Sequence, residues 1–231
     1  MKTKKISLIG LYYQGKDDEI MRVLNIHRSM KSISADLKKD LLDIASGEVE
    51  APFDPNEQDR FGHSIFNLLL NDHKKELALA LWNAGADEMK ADKEGEIPLF
   101  QAVREHHTEL VMAIVASMDA DGRGDSDLNL YREEEMGKFS AFSIAAVLSD
   151  IKIVEAMLKA GANPLAQDDL VGETPLYYAA EMDRDDAVEL MLKFLPDNPR
   201  KDLLDDAAYA VRSGSKGERI YNMIKDVVDT L

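Results

Sequence analysis

Apolar residues recur at helical spacing along most of the chain, in short runs broken by Gly, Asn, Asp or Pro. Ile153, Val154, Met157 and Leu158 fall on one face of a 3.6-residue period, and Ala160-Gly161-Ala162-Asn163 follows. Gly161, like Gly85 in Trp82-Asn83-Ala84-Gly85-Ala86-Asp87, supplies a left-handed residue that ends such a helix. A shorter apolar segment precedes each long one. It opens at Thr174, Ser64 or Ser140, whose hydroxyl can accept a bond from an unpaired N–H of the first turn, and Pro175 suits the first helical position. These shorter helices are predicted to end near His73, His106, Ser149 and Asp183. The predicted unit is a helix pair followed by a hairpin-like turn.

The unit repeats. Gly172-Glu173-Thr174-Pro175-Leu176-Tyr177-Tyr178-Ala179-Ala180 is matched by Gly95-Glu96-Ile97-Pro98-Leu99-Phe100-Gln101-Ala102, and by Gly62-His63-Ser64-Ile65-Phe66-Asn67-Leu68-Leu69 33 residues earlier. A further copy is Lys138-Phe139-Ser140-Ala141-Phe142-Ser143-Ile144-Ala145. On these residues the chain resembles ankyrin repeat proteins, with their T-P-L-H-x-A signature. Ile97 stands where the capping Thr belongs, Ile65 and Ala141 replace Pro, and Met118 stands where the second repeat's terminal Gly would be. The resemblance implies an all-α fold, a solenoid of stacked helix-turn-helix units forming one elongated domain. Four repeats occupy residues 59–195, with an insertion at 119–135. A helical cap and acidic loop fill 1–58, including an extra helix at 35–46, and a second helical cap fills 196–231.

The resemblance also implies binding of another protein through turn tips and the exposed side of the first helices; fold alone names no partner. Among positions expected to face solvent there, Arg60, Phe61 and Arg104 belong to mostly polar sets, whereas Phe139, Val147, Leu148, Leu170, Val171 and Met182 are apolar. An exposed apolar cluster with a charged rim marks an interaction site. The alternative is that the insertion folds back through Leu128, Leu130 and Tyr131 and covers it.

Charge narrows the function. Lys and Arg number 28 against 44 Asp and Glu, a net −16, which disfavours a nucleic-acid binder. The absence of cysteine excludes disulfides, thiolate metal sites and cysteine nucleophiles. His27, His63, His73, His106 and His107 are scattered, and the adjacent pair points in different directions on a helix. Neither metal nor cofactor is expected. The run Asp119 to Asp127 fails as a calcium loop because Arg123 and Leu130 occupy ligand positions, leaving only loose calcium binding by an acidic loop. Arg123-Gly124-Asp125, an integrin-recognition tripeptide, reads as ordinary surface loop. The apolar run Ile6 to Tyr13 behind Lys2, Lys4 and Lys5 is too short and lacks a cleavage site, so no signal peptide is expected. No window reaches the length of a membrane span.

A monomeric, non-catalytic interaction module, an adaptor or an effector, is the leading expectation. Its expected location is cytoplasmic, in its own cell or in a host cell if the protein is delivered there. An acidic inhibitor or immunity-type protein that blocks a basic partner is the alternative, and an enzyme ranks third.

Overall fold

The computed structural model describes residues 6–31, 53–129, 131–134, 137–148, 150–168, 172–211 and 215–231. Helix dominates, with thirteen helices and one two-stranded ribbon among these residues. Contacts divide the chain into two compact units, Met1–Pro98 and Leu99–Leu231. The first holds α1 (Leu8–Tyr13), α2 (Asp17–Lys31), α3 (Ile65–Asn71) and α4 (Lys75–Asn83). The second begins in α5 (Pro98–Arg104), continues with α6 (Thr108–Asp121) and α7 (Gly124–Leu128), and crosses the ribbon β1 (Tyr131–Glu134) and β2 (Gly137–Ser140). It then contains α8 (Ala141–Leu148), α9 (Ile151–Lys159), α10 (Pro175–Glu181), α11 (Asp185–Leu192), α12 (Lys201–Ala210) and α13 (Ser215–Val228). The predicted helix at 35–46 lies outside the described residues.

Hydroxyl caps start the short helices as their sequence anticipates. Ser64 Oγ accepts from the N–H of Asn67, Ser140 Oγ from Ser143, and Thr174 Oγ1 from Tyr177, each satisfying a donor the helix cannot. Ser7 does the same for α1 through Gly10.

One backbone device ends them. Gly15, His73, His106 and Asp183 are all left-handed, with φ of 68°, 52°, 57° and 54°. At each, two bonds close the turn: His73 N–H to Leu70 O and Lys74 N–H to Leu69 O, for example, and His106 N–H to Val103 O with His107 N–H to Ala102 O. Gly15 and Lys16 reach Tyr12 and Leu11 identically, and Asp183 and Arg184 reach Ala180 and Ala179. This is the paired 5→2 and 6→1 closure of a helix C-terminus. The N-terminal pair α1–α2 is thus built like the later pairs.

Within the first unit α1 packs on α3 and α2 on α4. Within the second, α8, α10 and α12 form one row, and α6, α9, α11 and α13 form another. Apolar side chains between the rows are fully buried: Leu8, Ile20, Phe66 and Leu81 in the first unit, Phe142, Val154, Leu176, Val188 and Leu204 in the second. Each contributes roughly 1.5–3 kcal/mol on transfer from water. Trp82 is only half-buried; its indole N–H donates to Glu88 at 3.1 Å.

The described residues of the insertion form the end of α6, the helix α7 and the strand β1, in contrast to the acidic loop expected. Helix α6 runs past the buried Met118 to Asp121 and ends at the left-handed Gly122, which moves the helix stop four residues beyond its expected place. Helix α7 then docks on the end of α9. Leu128 is fully buried, Asn129 Nδ2 donates to Gly161 O, and Asn129 Oδ1 accepts from the N–H of Asn163 at 2.8 Å. Arg123, which spoils the calcium pattern, pairs with Asp127 at 2.7 Å. Gly124 is buried against the Ala160 carbonyl, so the Arg-Gly-Asp sequence is a helix start rather than a loop tip.

Two substitutions test this architecture. His106 is exposed and left-handed, a conformation costing an L-residue roughly 1–2 kcal/mol, so His106→Gly should stabilise by about 0.5–1 kcal/mol after the extra chain entropy of glycine is subtracted. Urea denaturation measures it, and a lower midpoint would contradict the strain. At Gly124 an added methyl would lie 1.6 Å from Ala160 O, so Gly124→Ala should lift α7 and cost about 1–3 kcal/mol in the same assay.

Candidate functional site

Three of the hairpin turns that carry the expected binding tips each depend on one aspartate. Asp59 Oδ1 accepts from the N–H groups of Phe61, Gly62 and His63 at 2.8, 2.7 and 2.9 Å, while its own N–H donates to His63 O. Asp92 repeats the arrangement with Glu94 and Glu96, and Asp168 with Gly172. The second carboxylate oxygen accepts from a neighbouring side chain: Tyr13 hydroxyl at Asp59, Asn67 Nδ2 at Asp92, Tyr178 hydroxyl at Asp168. Sequence reasoning passed over these aspartates, although each stands three or four residues before the turn glycine.

Around Asp59 the turn gathers charge. His63 Nδ1 lies 3.1 Å from Asp59 and its Nε2 lies 3.2 Å from Glu94. Burial opposes ionisation of Asp59, but the bonds from Tyr13, His63 and the backbone outweigh it and hold the carboxyl below its usual range. The same bonds, from Asp59 first and Glu94 second, raise the pKa of His63. Phe61 is 59% exposed with the Arg60 guanidinium 4.6 Å from its ring centre.

The four described apolar candidates do not form one cluster. Phe139 sits on β2 at the start of α8 and packs its ring on Tyr178, centroids 5.1 Å apart. Burial, then the bond to Asp168, pushes the Tyr178 hydroxyl far up in pKa. Val147 and Leu148 stand at the other end of α8, about 12 Å of helix away at 1.5 Å per residue. Met182 caps α10. Arg184, two residues on, donates to Val147 O and pairs with Asp186 at 3.1 Å, and this sets the ends of α8 and α10 side by side. Leu148 and Met182 are each 46% exposed there, and Val147 is half-buried. Leu170 and Val171 lie outside the described residues. Arg104, the last residue of α5, is half-buried.

The covering alternative does not hold for Leu128. That side chain is buried at the Gly161 end of α9, whereas Leu148 and Met182 remain exposed. The side chains of Leu130 and Tyr131 lie outside the described residues. His106 and His107 diverge as expected, one exposed and one buried.

Among the described residues no group of three or more His, Asp or Glu is gathered as a metal site, and no helix is long and apolar enough to cross a membrane. No protein-family model matches the chain, and no curated protein is significantly similar to it.

The Asp59–His63 bridge makes a pH prediction. A raised histidine pKa contributes stability that is complete below the ordinary value of 6.5 and fades as pH climbs through the raised one. The depressed Asp59 contributes above its ordinary 3.8, and that is lost as pH falls through the lowered value. In an NMR titration His63 should therefore show a midpoint above 6.5, moving down in Asp59→Asn; an unmoved midpoint would contradict the bridge.

Proposed function

We propose that the chain is an ankyrin-type solenoid that works as a non-catalytic protein-binding module, an adaptor or an effector. The repeating Ser or Thr cap, left-handed turn and aspartate-held hairpin support the repeat reading. The observation that carries the binding surface is that Leu148 and Met182 are both nearly half exposed at helix ends that Arg184 ties together. Packing within the repeats leaves both available, and apolar side chains so placed beside charge are what protein partners bury. Phe139, Phe61, Arg60 and Arg104 are further candidate contacts, each taken by itself.

The acidic-inhibitor reading differs in its dependence on salt. A complex centred on Leu148 and Met182 keeps its association rate as ionic strength rises, whereas an electrostatically steered one loses rate steeply. The test is the double variant Leu148→Ser with Met182→Ser. It should leave thermal stability within about 0.5 kcal/mol, as exposed substitutions do, and weaken binding to a partner recovered by wild-type pull-down by about 2 kcal/mol or more. Unchanged binding would overturn the surface.

A further inference from the structure

A second surface lies at the other end of α10. There the turn before α10, the first turn of α10 and one face of α12 enclose a groove of about 340 Å³. Tyr177, Tyr209, Leu203 and Ala210 line it, together with the carboxylates Glu173 and Asp206. Tyr209 is 72% exposed, yet its ring rests edge-on against Tyr221 at 6.2 Å; Tyr177 leans likewise on Tyr178 at 5.9 Å. Both rings are thereby braced without being covered.

The carboxylates of the groove differ from several others on the surrounding helices. Asp205 is paired with Lys225, Asp202 with Arg200, Asp185 with Arg219, and Glu189 with Lys193 and Arg219. Among the described residues Glu173 and Asp206 have no Lys or Arg within ion-pair distance. Arg200, which feels the charge of Asp206, spends its guanidinium on Asp202 and Gln167. Burial, then the fields of Glu173 and Glu181, the hydrogen bond to Glu173 and the field of Asp206 raise the Tyr177 pKa, and Tyr178 also bonds Glu173, so the groove is negative as well as aromatic and its tyrosines hold Glu173 in place.

We propose that this groove receives a single Lys or Arg side chain from a basic segment of a protein partner. The aliphatic stem would lie on Leu203 and Ala210, and the cation between Glu173, Asp206 and the tyrosine rings. An aromatic wall attracts a cation through its quadrupole, a carboxylate through its charge, and an apolar floor favours a long methylene stem over a small hydrated ion. A net charge of −16 steers basic segments toward the surface in general. The groove fixes where one of them docks. This rests on the reading of the chain as a protein-binding module and adds the chemistry of the partner.

The probe is acetyl-Gly-Arg-Gly-amide titrated into the isotopically labelled full chain, with acetyl-Gly-Gln-Gly-amide as its neutral counterpart. The arginine peptide should shift the amides of 172–177 and 203–210 saturably at millimolar concentration, and the glutamine peptide should bind at least tenfold more weakly. Glu173→Gln with Asp206→Asn should weaken the arginine peptide at least tenfold, and Tyr209→Ala should weaken it while leaving the spectrum folded. Leu148→Ser with Met182→Ser should bind the peptide as wild type does, so failure of that surface and failure of this groove are read separately. Equal response to both peptides, shifts scattered over the acidic helices, absence of saturation, or wild-type affinity in the amide variant would each overturn the proposal.

Discussion

A helix of seven residues does not hold itself together in water, since isolated helices below about 12–15 residues are marginal even in favourable sequences. Helices α3, α5 and α10 are all of that length. Their order therefore comes from what closes their ends and covers one side. A hydroxyl cap satisfies the front of α3 and α10, whereas Ile97 precedes α5; the left-handed turn satisfies the back of each and reverses the chain, and the neighbouring helix takes the apolar face. Remove the turn and the second helix loses its address on the first. The recurrence of the same two backbone bonds at Gly15, His73, His106 and Asp183, on quite different side chains, shows that the geometry of the turn is kept while its residue varies.

The helical rhythm could be read in advance because it rests on local chemistry: a hydroxyl before an apolar run, a proline at the first helical position, a glycine at the end. Gly85 and Gly161 take up the left-handed conformation their spacing implies. The insertion was less legible. Met118 looked like a missing stop, but the stop had moved to Gly122, and only tertiary contact shows that Gly124 and Leu128 belong to a docked helix. The candidate surface was legible residue by residue and not as a whole. Exposure of Leu148 and Met182 follows from helix phase, whereas Phe139 lies a helix length from Leu148 and packs on Tyr178. The turn aspartates escaped notice because a lone Asp in a loop is common, and its value depends on three amides converging on one oxygen.

The two proposed surfaces meet on one short element. Tyr177 in the first turn of α10 faces the groove, and Met182 caps the end that Arg184 ties to α8. Between them Leu176, Ala179 and Ala180 are buried, so the helix is fixed by packing while both its ends remain open to solvent. An element held that way presents side chains with little loss of freedom on binding, which is where much of an interface's affinity is otherwise spent.

Helix α7 has a consequence for how the second unit comes apart. In a stack where each pair touches only its neighbours, melting can start at an end and travel by steps. Here α7 follows α6 directly and grips the Ala160–Asn163 turn after α9 through Asn129 and the close approach of Gly124. The amide of Asn163 is held by a side chain that arrives from the preceding pair, so it cannot exchange its hydrogen unless that clasp opens. The clasp couples opening of α7 to opening of the turn after α9, so the two helix pairs resist local opening together.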